Sequence, residues 1–207
     1  MNKNILLRYF SFPMELSGYV WKSPYFAALI DAREVTGRDI FSGKKINEKA
    51  HGCWLGALGY MALVDHIGGL IRKKRVIRDN NDFLSALKSF TNLNEKERKV
   101  LYALRCSFAH NYHLYNNETK NKSKIHHFMV TSGLENNQLI TFPKTQWSGL
   151  HGARYKKDSN KTTVNIELFA DLVEGMHLNI LDGIKKNKIK VLNKNLIETF
   201  ICYRKSA

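Results

Sequence analysis

The chain has 207 residues, of which 43% are hydrophobic and 11% aromatic, and this composition argues against long disorder and indicates a packed core. Thirty-three Lys and Arg residues against 18 Asp and Glu give a formal net charge of +15, which favours a polyanionic partner such as RNA, DNA or an anionic membrane surface. No apolar run reaches the roughly 18 residues that span a bilayer, and the three cysteines are widely spaced without a CxxC pair, so we expect a cytoplasmic protein without disulfides or a membrane partner.

Helical periodicity dominates the first half of the chain. Residues 23–36 are predicted to form a helix, which Ser23 caps and Gly37 ends. Apolar residues at helical spacing predict the longest helix over residues 46–72, and its glycines indicate close packing against a neighbouring element. A shorter helix is predicted over residues 82–90.

A run of cations ends the predicted long helix and has two interpretations. Cations at a helix C-terminus stabilise the helix by ~0.3–1 kcal/mol each. A patch of this size also suits contact with RNA phosphates. The candidates for RNA contact are Arg72, Lys73, Lys74, Arg75 and Arg78.

The next helix is predicted to begin at Asn94, where Glu97 stands three residues on in the spacing of a capping box. Helical spacing places an apolar stripe on one side of it. We expect that stripe to consist of Val100, Leu101, Leu104, Phe108 and Tyr115.

Polar and titratable side chains are concentrated in residues 104–115 of the same predicted helix, LRCSFAHNYHLY. On a helix, Arg105 and His110 lie about 140° apart around the axis and ~7.5 Å apart along it. Because arginine is long, both side chains can border one pocket, especially a pocket completed by a second copy of the helix. Cys106 neighbours His110 at i and i+4. It either forms a weak hydrogen bond or packs as a small apolar side chain.

The periodicity changes near residue 116. Residues 125–130 and 139–142 alternate as strands joined by a turn around Gly133, and residues 162–166 predict a third strand. We therefore expect a small antiparallel insertion, a β-hairpin and loop over about residues 121–166, in an otherwise α-helical bundle.

Two further segments complete the organisation. A loop between the second and third predicted strands interleaves cations with aromatic residues, which suits contact with RNA phosphates and stacked bases or a solvated loop. Its RNA-binding candidates are Arg154, Lys156 and Lys157. A last helix is predicted over roughly residues 194–204.

One motif resembles a known family. The segment Arg105-Cys-Ser-Phe-Ala-His110 resembles the Arg-x4-6-His signature of the HEPN superfamily. Asn111-Tyr112 extends the likeness to the Arg-x4-His-x-Tyr form seen in HEPN toxins that are paired with nucleotidyltransferase antitoxins. The resemblance covers about residues 95–115, and one departure is Cys106, at a position where active members often have Asn, Asp or His.

The resemblance implies both an architecture and an activity. The architecture is a single, mostly α-helical HEPN-like domain over residues 1–207, which forms a homodimer with a composite active site. The activity is that of a metal-independent endoribonuclease without cofactors, acting as a toxin or an anti-phage effector of abortive infection. Tyr112 then corresponds to the tyrosine that receives nucleotides from the antitoxin, although Phe108, four positions before it, also suits a packing role.

The chemistry of RNA cleavage fits these residue types. RNA carries its own nucleophile, the 2′-hydroxyl, and a histidine that titrates near neutrality suits the proton transfers. Arginine suits the phosphate because its planar fork donates two parallel hydrogen bonds. We therefore expect Arg105 to stabilise charge, His110 of each subunit to move protons and Asn111 to orient the pair. The expected products are a 2′,3′-cyclic phosphate and a 5′-hydroxyl.

Other readings of the sequence stay open. His110 and His113 form an HxxH pair, but no obvious third ligand accompanies them, so we expect no metal site. A non-catalytic HEPN-like protein that binds RNA or nucleotides, or that serves in an assembly, is the main alternative. A basic helical DNA-binding protein is a third, although no helix-turn-helix pattern supports it.

Overall fold

The structure is a computed structural model that describes residues 3–11, 13–16, 19–46, 53–111, 113–116, 125–132, 137–149 and 158–204. Helices predominate over several small sheets, which confirms the prediction of a mostly α-helical chain. The chain separates into two compact units, Met1–Asn92 with Leu172–Ala207, and Leu93–Asp171. The assignment of one HEPN-like domain to residues 1–207 stays a prediction.

The elements follow one another in chain order as α1 (Lys3–Phe10), β1 (Met14–Leu16), β2 (Tyr19–Lys22), α2 (Pro24–Val35), α3 (Cys53–Leu70), β3 (Ile71–Lys73), α4 (Asp82–Phe90), α5 (Glu95–Asn111), β4 (Tyr115–Asn116), β5 (His126–Thr131), β6 (Ile140–Thr141), β7 (Thr162–Asn165), α6 (Ile166–Lys185), β8 (Ile189–Val191), α7 (Lys194–Ile197) and β9 (Ile201–Arg204). Among the described residues, no helix combines the length and the hydropathy needed to cross a bilayer.

Helix α2 begins where its sequence predicts. The Ser23 hydroxyl accepts a hydrogen bond from the Phe26 amide at 3.0 Å, and Pro24 occupies the first turn, where its missing N–H costs nothing. Gly37 follows the helix at a φ of 66°, a left-handed conformation that favours glycine. The helix predicted over residues 23–36 is therefore confirmed.

Helix α3 is shorter than predicted. Residues 47–52 of the predicted helix lie outside the described residues, and α3 ends at Leu70 because Ile71 enters strand β3. Strand β3 pairs with β8 in an antiparallel ribbon, which removes Ile71 and Arg72 from the predicted helix. Tertiary pairing thus overrides the helical spacing of this segment.

The glycines of α3 do allow close packing. A Cβ atom on Gly59 would lie 3.2 Å from the Cβ atom of Ala32 in α2. A Cβ atom on Gly68 would overlap the carbonyl oxygen of Asp82, the first residue of α4. Two neighbouring helices therefore approach the α3 backbone where a larger residue would keep them apart.

Polar side chains also join the helices of the first unit. Arg33 of α2 is buried against Glu174 of α6, and Tyr60 of α3 donates a hydrogen bond to Glu174 Oε1 at 2.9 Å. Beside this group, the Tyr25 hydroxyl lies 3.1 Å from His177 Nδ1, and the two rings are stacked at 5.8 Å. Because buried charges and hydroxyls need partners, this network constrains how α2, α3 and α6 pack.

The C-terminal segment differs from its prediction. The helix predicted over residues 194–204 is only α7, Lys194–Ile197, and strand β9 follows it. Strand β9 pairs with β2 in an antiparallel register that matches Tyr19 with Arg204, so the segment completes the sheet β1-β2-β9. That partner lies near the other end of the chain, which explains why local spacing was misleading.

The second unit contains α5 and a four-stranded sheet in the order β4-β5-β7-β6. The three strands predicted between residues 121 and 166 are present as β5, β6 and β7. Their predicted arrangement is wrong, however, because β7 lies between β5 and β6 and runs parallel to β5. Every residue of β7 is buried, so it takes a central position that a hairpin of β5 and β6 would not provide.

Candidate functional site

The helix that carries the predicted motif begins as expected. The Asn94 side-chain oxygen accepts a hydrogen bond from the Glu97 amide at 3.0 Å, and the Asn94 amide donates to Glu97 Oε2 at 2.8 Å. These reciprocal bonds form a capping box, which satisfies two amides that a helix start would otherwise leave without partners. The predicted start of α5 is therefore confirmed.

The end of α5 differs from the prediction. The helix ends at Asn111, and Tyr115 pairs instead with His127 of β5. The Ser107 hydroxyl fixes the segment after the helix against α5, since it donates to the carbonyl oxygens of Ala103 and of Tyr115, each at 3.0 Å. His113 thus lies beyond the helix, and the HxxH spacing does not describe two neighbours on one helix face.

One side of α5 is buried and the other is accessible. The apolar stripe is confirmed for four of its five predicted residues, since each is 2% exposed or less: Val100, Leu101, Leu104 and Phe108. The accessible residues recur at helical spacing, i, i+3, i+4 and i+7. We refer to them as the open stripe, which consists of Tyr102, Arg105, Cys106 and Ala109.

The predicted catalytic residues lie on the last turns of α5. Arg105 and Cys106 are both partly exposed, and Cys106 is a free thiol. His110 and Asn111 belong to the last turn, but their side chains lie outside the described residues, as does the whole of Tyr112. The structure therefore places Arg105 and the backbone of His110 five residues apart on one helix.

A group of rings follows directly after the motif. His113 and Tyr115 stack with their centroids 4.0 Å apart and their planes 8° apart. The buried Trp147 lies 6.3 Å from Tyr115 and 5.5 Å from His127. His113 Nδ1 is buried without a hydrogen bond to any described residue, and the Tyr115 side chain is 38% exposed. Sequence reasoning missed this ring group because β4 brings its members together only in the fold.

A cavity of about 480 Å³ lies beside the first turns of α5. His126 is 5% exposed, and its Nδ1 atom lies 3.0 Å from Thr162 Oγ1. Lys96 Nζ lies 3.8 Å from the centre of the Phe142 ring, in a cation–π contact. The alternation of β5 places His126 and His127 on opposite faces of the strand. The cavity is lined by charged, polar and apolar side chains, Glu95, Lys96 and Lys99 among them, and it involves none of the predicted catalytic residues.

The predicted RNA-binding run does not end a helix. Arg72 and Lys73 belong to β3, and Lys74 and Arg75 form the turn after it. The interpretation of these cations as stabilisers of a helix C-terminus is therefore wrong. Arg78 is partly neutralised by an exposed ion pair of 2.6 Å with Asp82.

The second predicted RNA-binding segment, with Arg154, Lys156 and Lys157, lies outside the described residues.

Comparisons with protein-family models, curated proteins and solved structures find no match to this chain. Among the described residues, no group of three or more His, Cys, Asp or Glu side chains is arranged to hold a metal ion.

Proposed function

We propose that the chain is a metal-independent endoribonuclease of the HEPN type, which acts as a toxin or an anti-phage defence effector. One observation carries the proposal: Arg105 and His110 occupy the last turns of one capped helix, with Arg105 on its accessible side. The side chain of Arg105 can therefore reach a phosphate while its backbone stays in the helix. The net charge of +15 favours an RNA substrate over a neutral one.

The reaction needs a base at the 2′-hydroxyl, an acid at the 5′-oxygen and a positive group at the phosphorus. His110 suits the proton transfers, and Arg105 suits the charge that develops on the phosphoryl oxygens. The 2′-oxygen forms a bond to phosphorus while the bond to the 5′-oxygen breaks. A proton leaves the first oxygen and another reaches the second, so no water, metal or oxidant enters this step.

A composite site in a homodimer follows from the geometry of that reaction. A single histidine cannot readily serve both oxygens, because they lie on opposite sides of the phosphorus. The open stripe offers a face on which two copies of α5 can meet about a two-fold axis, the commonest symmetry of homo-oligomers. In such a dimer each subunit supplies one His110.

The test is cleavage of a synthetic RNA in EDTA by the wild-type chain and by Arg105→Ala and His110→Ala. Both variants are expected to lose cleavage, and the products are expected to carry 2′,3′-cyclic phosphate and 5′-hydroxyl ends. Arg98→Ala is the matched control, since Arg98 lies two turns earlier on the same face of α5 and bonds to the Leu93 carbonyl.

Three results would contradict the proposal in different ways. Full cleavage by His110→Ala would remove the histidine from the mechanism. Activity that EDTA abolishes and a divalent metal restores would make the enzyme metal-dependent. Binding of intact RNA without cleavage by the wild type would favour the non-catalytic RNA-binding or assembly protein, which the Cys106 departure also suggests.

A further inference from the structure

Two basic segments from distant parts of the chain meet on the ribbon formed by β3 and β8. The register of the ribbon places Arg72 opposite Lys190 and Lys73 opposite Ile189. Beyond the last pair, the Lys74 amide donates to the Lys188 carbonyl oxygen at 2.9 Å. The ribbon therefore joins the cations of residues 72–75 to those of residues 185–190, which lie far away in the sequence.

The arrangement of charges on this ribbon lowers the stability of the fold. Like charges directly opposite one another in an antiparallel pair are destabilising, and Arg72 faces Lys190 in this way. Among the described residues, neither of these two cations forms an ion pair. Lys186 does have one, with Asp182 at 2.9 Å. Such an arrangement is expected where an anionic ligand supplies the missing negative charge.

Two hollows on the surface of the first unit share two lining residues, Lys74 and Asn187. The first has a volume of about 270 Å³ and includes Lys3, Lys74 and Lys194 in its lining. The second has a volume of about 410 Å³ and is lined by Lys73, Lys74, Arg75, Val76, Asn187 and Lys188. Lys74 and Asn187 line both hollows, and no carboxylate of the described residues lines either one.

The shared pair is held in place by an uncommon backbone conformation. Asn187 has a φ of 55°, in the left-handed region that favours glycine. It ends α6, where its amide donates to the Ile184 carbonyl oxygen at 3.1 Å and the next amide donates to that of Gly183 at 2.8 Å. The Asn187 side chain in turn accepts a hydrogen bond from Lys74 Nζ at 3.1 Å. Asparagine therefore fixes a lysine between the hollows, which glycine could not do.

We infer that these hollows bind neighbouring phosphates of one single-stranded RNA, with Lys74 between them. Two separate concave sites, divided by one fixed cation, suit discrete phosphates along a strand better than the flat charge of a membrane. The cations around them are exposed lysines, the exposed Arg75 and the half-buried Lys73, and they bind phosphate as point charges or as a fork. The identification of the strand as RNA rests on the proposed function, whereas the binding of phosphate is inferred from the hollows alone.

The test measures binding of a short 2′-O-methyl RNA, which lacks the 2′-hydroxyl nucleophile and cannot be cleaved by the proposed reaction. The variant Lys74→Glu/Lys188→Glu is expected to weaken binding at least about tenfold at moderate salt. The slope of log affinity against log salt is expected to fall by about 1.4, since each phosphate contact on a single strand contributes ~0.7. The control, Lys44→Glu/Lys88→Glu, makes the same charge change at exposed residues that line neither hollow, and less than about a twofold change is expected.

A second pair of variants tests whether weaker RNA binding results from unfolding of the protein. Lys74→Gln/Lys188→Gln removes the charges without adding carboxylates, and Asn187→Gly relieves the backbone while it removes only the side chain that holds Lys74. Both are expected to keep the thermal midpoint and to weaken RNA binding, Asn187→Gly by about threefold. Equal weakening by the hollow and control variants would overturn the inference. Loss of binding to phosphatidylserine vesicles with RNA binding intact would also overturn it, and neither result would bear on cleavage at Arg105.

Discussion

Arg33 holds both carboxylate oxygens of Glu174 in a buried, bidentate ion pair. Its Nε atom donates to Oε1 at 2.9 Å and its Nη2 atom donates to Oε2 at 2.6 Å. The remaining nitrogen, Nη1, donates to the carbonyl oxygens of Ile40 and Phe41 at 2.8 and 3.0 Å. Burial disfavours the charge on Arg33, but the hydrogen bond and the charge of Glu174 outweigh this and raise its pKa.

Loss of one partner of this pair is expected to destabilise the first unit. Glu174→Gln leaves the buried Arg33 charge uncompensated, which costs about 3–5 kcal/mol when a buried pair is broken. Asp182→Asn is the matched control, because it removes the same charge from an exposed pair with Lys186 and should cost about 0.5 kcal/mol at most. Urea unfolding of the three proteins measures both values. Similar losses in the two variants would mean that the buried pair does not hold the helices together.

Acid is expected to destabilise the protein through His177. Burial, with a smaller effect from the nearby Arg33, lowers the pKa of His177 from 6.5 to about 4, although Glu174 opposes the shift. Below about pH 6.5 the unfolded chain binds a proton that the folded chain rejects until about pH 4. Stability is therefore fully present above pH 6.5 and falls between these values, by about 3 kcal/mol in total.

The free energy of unfolding between pH 7 and pH 4 measures this contribution in the wild type and in His177→Gln, which keeps a polar side chain but does not titrate. The variant should lose less stability than the wild type over that interval. The half-buried His66, whose pKa is also lowered by burial, adds a loss in the same direction to both proteins. An identical pH dependence in the two proteins would show that His177 does not titrate in this way.

Local signals were sufficient for much of the helical structure and for the placement of the motif. The Ser23 cap and the Asn94–Glu97 capping box act over three residues, so the sequence alone locates the starts of α2 and α5. The end of α5 was not predictable in this way, because strand pairing between Tyr115 and His127 decides it. The helical spacing of Tyr115 carries no information about that partner.

Long-range pairings were beyond the sequence for a related reason. Arg33 and Glu174 are 141 residues apart, and nothing local marks either one as the partner of the other. The two hollows likewise depend on a ribbon that joins residues 72–74 to residues 188–190. Patterns within a segment report which face is buried, but the choice of partner depends on packing across the whole unit.

The stacked pair of His113 and Tyr115 is expected to contact an RNA base next to the proposed cleavage site. Tyr115 is bonded through its carbonyl oxygen to Ser107, within one turn of Arg105 on α5, and its ring is partly exposed. Stacking of a base on an aromatic ring contributes about 1–3 kcal/mol. Tyr115→Ala should therefore weaken binding of a 2′-O-methyl RNA by about fivefold or more. Tyr19→Ala, which removes another exposed tyrosine from β2, is the control. Equal affinities of the two variants would remove the ring from the RNA site.

The open stripe is expected to form the dimer interface that completes the proposed active site. Ala109→Lys places two cations against each other across a two-fold axis, while the cation suits the C-terminal end of α5 and leaves the helix intact. Sedimentation equilibrium should find the wild type at twice 23.9 kDa, and Ala109→Lys should dissociate at least about tenfold more readily. Ser132→Lys adds the same charge at an exposed position of the same unit and should remain dimeric. RNA cleavage should fall together with the dimer fraction in Ala109→Lys. A wild-type chain that cleaves RNA as a monomer would instead require one chain to supply both proton-transfer groups, and His113→Ala would then be the variant to test.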